Sequence, residues 1–234
     1  MTLNESHHAQ LFAWIVKSVV EEVGVEQGEP VIRKAVRKYG EERGKRMALR
    51  ATENGHALNM ATYLAYSEWE ASGGNMQVSM KTKVPHATVE VHKCPWHTTW
   101  EQDGLIEFGR YYCLEIDEAV VRGFNPDLKI DINGTRTNGA DCCEFVFREA
   151  KLNLINLIKL AYRKKIFPAQ TALMPWDYHL AHLFTTMESV IKNELGEPGT
   201  NSIAKALEQF EKEVGSSALE ILKGFRETDF SSLP

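Results

Sequence analysis

A change of hydrophobic period constrains this chain more than any other feature of it. Early in the sequence Leu11, Ile15, Val19 and Val23 recur every four residues, the spacing that lays one apolar stripe along a helix. From Met76 onward the spacing falls to two. Met76-Gln77-Val78-Ser79-Met80-Lys81 and Ala87-Thr88-Val89-Glu90-Val91-His92 both alternate apolar and polar side chains, as strands with one covered face do. Val84-Pro85-His86 lies between them as a turn, so the pair reads as a hairpin.

The rest of the chain sorts by the same rule. Residues 4–24 and 28–54 are expected to be helices, divided at Gly24 and reopened by Gly28-Glu29-Pro30, with proline at a tolerated first-turn position. A third helix is expected over 55–72, stopped by Gly73-Gly74. Tyr63, Tyr66 and Trp69 would form an aromatic stripe on it. Residues 106–122 read as helical again. Leu128-Lys129-Ile130-Asp131-Ile132 and Cys143-Glu144-Phe145 then alternate, with Asn133-Gly134 and Asn138-Gly139 as turn pairs between them, and so predict a second hairpin. Helices are expected from Ile155 to a break at Pro168, from Met174-Pro175-Trp176-Asp177 to about Leu195, and over about 200–225. Helical and strand segments in blocks point to an α+β fold, a small antiparallel sheet of about four strands covered by N- and C-terminal helices. The expectation is a single domain over 1–234: helical over 1–74, a sheet and motif core over 75–150, and helical over 151–234.

Charge narrows the partners. With 27 basic and 32 acidic residues the net charge is -5, and the longest basic run is Arg163-Lys164-Lys165. That is no footprint for a phosphate backbone, so nucleic acid is not expected. The N-terminus lacks a basic-then-apolar leader, and no segment nears the roughly 20 apolar residues of a membrane span. The expected compartment is the cytoplasm, where Cys94, Cys113, Cys142 and Cys143 would be thiols and not disulfides. Apolar stripes on the outer helices are compatible with a homodimer.

The polar residues able to do chemistry crowd between 92 and 143: Cys94-Pro95-Trp96-His97, Tyr111-Tyr112-Cys113 with Asp117 beyond it, and Gly139-Ala140-Asp141-Cys142-Cys143. On one helix Cys113 and Asp117, four apart, would share a face. Three readings follow. The cysteines are small buried hydrophobes. Alternatively, Cys113 or Cys94 is a nucleophile, with His97 as proton shuttle and Asp117 holding a cationic nitrogen, since a carboxylate beside a thiol raises its pKa instead of activating it. Or Cys94, His97, Cys113 and Cys142 bind zinc, although Cys94-x-x-His97 has no matching second knuckle. His179 and His182, at i and i+3 just after a helix start, add two groups suited to a carboxylate-bearing substrate. Glu53-x-x-His56 has di-iron spacing but no second copy.

Taken in order, Cys94-Pro95-Trp96, Tyr112-Cys113-x-x-x-Asp117 and Thr135-x-x-x-Gly139-x-x-Cys142 resemble the L-2-amino-thiazoline-4-carboxylic acid hydrolase family. The likeness is closest over about 76–150. The family's aromatic residue four places after the last cysteine is here Val146, between Phe145 and Phe147. The resemblance implies hydrolytic opening of a C–N bond in a small thiazoline-like ring, and it carries over Cys94, Cys113, Asp117, Gly139 and Cys142. A looser similarity, to small-molecule-binding domains of the vinyl-4-reductase type, implies a sensor without catalysis. The expected reading is a cytoplasmic hydrolase acting on a cyclic amidine or amide. Cys113, Cys94, His97 and Asp117 would be catalytic, and His179, His182, Cys142 and Gly139 would contact substrate. No cofactor and no bound metal are expected. A binding domain and a zinc-dependent hydrolase are the alternatives.

Overall fold

The structure is a computed structural model and describes residues 2–165 and 172–234; the expected break at Pro168 lies outside them. Its elements run α1 (Glu5–Glu53), α2 (Met60–Tyr63), β1 (Gln77–Thr82), β2 (Ala87–Lys93), α3 (Pro95–Gln102), α4 (Ile106–Cys113), α5 (Ile116–Phe124), β3 (Ile130–Gly134), β4 (Cys143–Phe147), α6 (Leu154–Lys165), α7 (Trp176–Leu195), α8 (Glu197–Val214) and α9 (Ser216–Gly224). The four strands form one antiparallel sheet in the order β1-β2-β4-β3. The fold class is α+β, with both hairpins where the period-two segments place them.

Contacts gather the chain into two compact units. The first takes Met1–Tyr39, Pro95–Ile116 and Pro175–Thr228; the second takes Gly40–Cys94, Asp117–Met174 and Asp229–Pro234.

The first unit is helical. Gly24 breaks α1 with φ of 78°, a left-handed conformation that glycine adopts without a Cβ penalty. Trp100 on α3 is fully buried and donates its indole N–H to the Ala9 carbonyl at 2.8 Å. Phe12 packs on Trp100 and on Tyr112 of α4. Gly196 and Gly215, both at positive φ, separate α7, α8 and α9, so the helix expected over 200–225 is two.

The second unit holds the sheet. Alternation turns Ala87, Val89 and Val91 of β2 inward, with Phe145 and Phe147 of β4 beside them. Ala87, Val89, Phe145 and Phe147 pack with Met60, Val121, Leu157 and Leu160 into one core, and Val91 is buried on the same side of the strand. The part of α1 in this unit crosses α5 in backbone contact. A Cβ on Gly44 would lie 2.1 Å from the Val120 carbonyl oxygen, and one on Gly123 would lie 2.2 Å from that of Glu41. Neither residue has room for a side chain, and this crossing sets the position of α5. Arg122 pairs with Glu41 along the same contact, its Nε at 2.8 Å.

Three local expectations fail. The helix read over 55–72 shrinks to one turn, Met60–Tyr63, opened by an Asn59 side chain that accepts from the Thr62 N–H. Tyr63, Tyr66 and Trp69 therefore share no helix stripe. The helix read over 106–122 is interrupted at Leu114-Glu115, and Glu115 is held there by Arg33 and Arg37 at 2.5 and 2.9 Å. The turn of the second hairpin is not at Asn133-Gly134, because Gly134 remains in β3 opposite Glu144. The chain reverses at Arg136–Asn138, capped by Gly139 at φ 86°.

Candidate functional site

The second unit holds two carboxylates in very different settings. Glu68 is fully buried. Arg46 grips it with two parallel bonds, Nε to Oε1 at 2.9 Å and Nη2 to Oε2 at 2.8 Å. Arg50 Nη1 reaches Oε1 at 2.6 Å, and Arg43 Nε lies 3.6 Å from Oε2. Arg46 also donates to the Phe230 carbonyl. A buried ion pair survives desolvation only with such complete hydrogen bonding, so this knot is structural.

Asp117 is the opposite case. It sits in the first turn of α5, half-buried, and its carboxylate has no hydrogen bond among the described residues. Burial raises its pKa from 3.8 to about 6, and the neighbouring Arg43 guanidinium only partly offsets that. Two further groups feel the same charge. The Tyr63 hydroxyl, on a ring packed against Phe124 and Phe147, is pushed far up by burial and by Asp117. The Cys143 thiol is pushed up first by burial and then by Asp117, while the Arg136 N–H donating to its Sγ at 3.3 Å pulls it down. A recessed carboxyl that is ionised at neutral pH and still protonated slightly below it suits general acid–base work or pairing with a cation.

The first unit carries a histidine–aromatic cluster. Trp96 donates its indole N–H to His8 Nδ1 at 3.0 Å, and His8 Nε2 lies 3.0 Å from the Tyr39 hydroxyl. Indole only donates, so Nδ1 is the acceptor and the His8 proton sits on Nε2, directed at Tyr39. The Tyr39 ring lies tilted against His182 with centroids 4.6 Å apart, and Trp176 lies between His8 and His179, with ring centroids at 6.0 and 5.4 Å. His179 and His182 are both buried, as is His97 on α3.

The expected residues therefore fall as follows. His97, Cys113, His179 and His182 belong to the first unit, and Cys94, Asp117, Gly139 and Cys142 to the second. Cys113 is the last residue of α4 and Asp117 lies in the next helix, so the expected shared helix face does not exist. Cys94 is half-buried, just past β2, and Gly139 serves the loop reversal. Cys142 and Cys143 are adjacent and part company: Cys143 faces the core and Asp117, while Cys142 lies with Glu90 and His92. Sequence reasoning passed over Arg43, Glu68, His8 and Tyr39. For His8, Tyr39 and Arg43 the signal is a charged or polar residue on an otherwise core-facing position of α1, visible only once the facing element is known; Glu68 lies in a bend beyond α2 and carries no such signal.

The family model described as L-2-amino-thiazoline-4-carboxylic acid hydrolase matches residues 4–147, more than half of the chain. The chain belongs to this family. The match to the thiazoline-carboxylic acid hydrolases covers Cys94, Cys113, Asp117, Gly139 and Cys142 and ends at the last residue of β4. No curated protein and no solved structure matches the chain. None of the described helices is long and apolar enough to cross a membrane.

Proposed function

We propose that this member of the family hydrolyses a C–N bond in a small cyclic amidine or amide of the thiazoline type, with Asp117 as the group that meets the substrate's ring nitrogen. The observation that carries the reading is the Asp117 carboxylate: recessed, without a hydrogen bond among the described residues, and inside the span that the family model matches. No side chain among the described residues completes its hydrogen bonding, and a cationic ligand would do so. A protonated amidine offers two N–H donors to the two oxygens of a carboxylate. Holding the proton on the ring nitrogen makes the amidine carbon more electrophilic. Water then adds its oxygen to that carbon, the ring C–N bond breaks, and its electron pair leaves on nitrogen with a proton. An Asp117 carboxyl with pKa about 6 can supply and recover that proton.

Cys113, with Cys94 second, is the nucleophile in the covalent form of this reading, and His97 or His179 the proton carrier. Cys113→Ala then abolishes turnover and leaves the fold; if activity is retained, water attacks directly.

The test is incubation with L-2-amino-thiazoline-4-carboxylate and related cyclic amidines. The expected product is heavier by one water and bears a new primary amine. A new thiol in place of the amine would mean that the ring opened at sulfur, against the C–N assignment. No turnover across the series would favour a binding domain.

A further inference from the structure

The outer face of the sheet carries three ligand types that take no part in the surroundings of Asp117. On β2, Glu90 and His92 are two residues apart and so share a face, the one opposite Ala87, Val89 and Val91. β4 pairs antiparallel with β2, Glu90 opposite Glu144 and Val91 opposite Cys143. Continued by one residue, that register sets Cys142 across from His92. The ligand atoms of Glu90, His92 and Cys142 all lie within 4.8 Å of one another. His92 Nε2 is 3.1 Å from Glu90 Oε2 and 3.0 Å from the Ser79 hydroxyl contributed by β1. Lys81 Nζ lies 3.0 Å from the same Glu90 oxygen, an exposed cation at the edge of the group.

We propose that Glu90, His92 and Cys142 form a binding site for a divalent transition metal of the zinc class, on the opposite face of the sheet from Asp117. One sulfur, one imidazole nitrogen and one carboxylate oxygen select zinc, cobalt or nickel over magnesium and calcium, which take oxygen ligands alone. Three protein ligands leave a fourth tetrahedral position for water or a ligand, the pattern of an open zinc site and not of a closed structural one. The neighbouring carboxylates of Glu144 and Asp141 add negative charge around the Cys142 thiol. Metal binding forms the sulfur–metal bond and releases the thiol proton to solvent. Lys81 occupies part of the electrostatic role of the ion and must give way when it binds. The site is independent of the hydrolytic reading and stands or falls by metal binding alone.

The experiment is titration of the chelator-treated full chain with cobalt(II), followed by optical absorption, and then zinc competition. The expected result is a thiolate-to-cobalt charge-transfer band with the strong visible bands of a tetrahedral site, bleached by one equivalent of zinc and untouched by magnesium. Cys142→Ser should abolish the charge-transfer band. His92→Ala and Glu90→Gln should each weaken binding by about a hundredfold, whereas His86→Ala, at the other end of β2, should not change it. Lys81→Met should tighten binding by about two- to fivefold. These residues lie on the solvent face, so the variants are expected to fold, with circular dichroism as the check. Cobalt bound without a sulfur band, a band that persists in Cys142→Ser, or affinity indifferent to His92 and Glu90 would each overturn the site.

Discussion

Glu68 and Asp117 are two carboxylates of the same compact unit, and they have been treated in opposite ways. Glu68 is fully enclosed and answered by guanidinium groups on both oxygens, with Arg46 forking onto it and Arg50 closing at 2.6 Å. Asp117 is only half enclosed, yet it has no hydrogen bond among the described residues and its pKa is pushed up to about 6. Burial by itself therefore does not distinguish a structural acid from a functional one. The better criterion is whether the folded chain completes the hydrogen bonding of the charged form. Where it does, the group serves the fold; where it does not, the fold bears a cost that something outside the chain can relieve.

The largest effect that would break this contrast is at Glu68. Glu68→Ala leaves the guanidiniums of Arg46 and Arg50 buried without their carboxylate and is expected to cost about 3–5 kcal/mol in denaturant unfolding. A loss under about 1 kcal/mol would mean that the knot is solvated and not structural.

Asp117→Asn should move stability the other way. The folded pKa of Asp117 lies above its unfolded value, so the folded state holds the extra proton between about pH 3.8 and pH 6. The wild-type protein then loses stability as pH rises through that window, and the loss is complete above it. Removing the ionisable group should recover about 2–3 kcal/mol at pH 7.5 and nothing near pH 3. Equal effects at both pH values would show that the substitution acts through packing.

A smaller change sharpens the comparison with the first unit. Trp96→Phe keeps an aromatic ring, smaller than the indole, and removes the N–H that donates to His8 Nδ1. The expected cost is about 1 kcal/mol. Loss of the donor should also free the His8 tautomer, visible as a changed imidazole nitrogen spectrum. An unchanged spectrum would show that Tyr39 alone fixes the ring.

The sequence showed the sheet far more clearly than the site. Period two over 76–81 and 87–92 is a property of each strand by itself, so both strands of the first hairpin could be read directly. The turn over 55–72 could not. Leu58, Ala61 and Leu64 have helical spacing, but Gly55 at φ 69° and the Asn59 cap confine the helix to Met60–Tyr63, and Glu68 is drawn into the arginine knot. Cys113 and Asp117 failed as a helix pair for a related reason: Glu115 between them is claimed by Arg33 and Arg37, more than 75 residues earlier in the chain. Asp117 itself was legible as a motif residue, and its electrostatic setting was not, since Arg43, Tyr63 and Cys143 come from three distant segments. Glu90 and His92 were visible as alternate residues of one strand, but Cys142 joins them only through the β2–β4 register.

Asp117 is proposed to be held unsatisfied for a substrate. The most direct test measures unfolding free energy and thiazoline-carboxylate turnover on one preparation of Asp117→Asn at pH 7.5. The expected result is a more stable protein whose turnover falls by about 10²- to 10⁴-fold. A variant that is less stable, or one that turns over substrate at the wild-type rate, would contradict it.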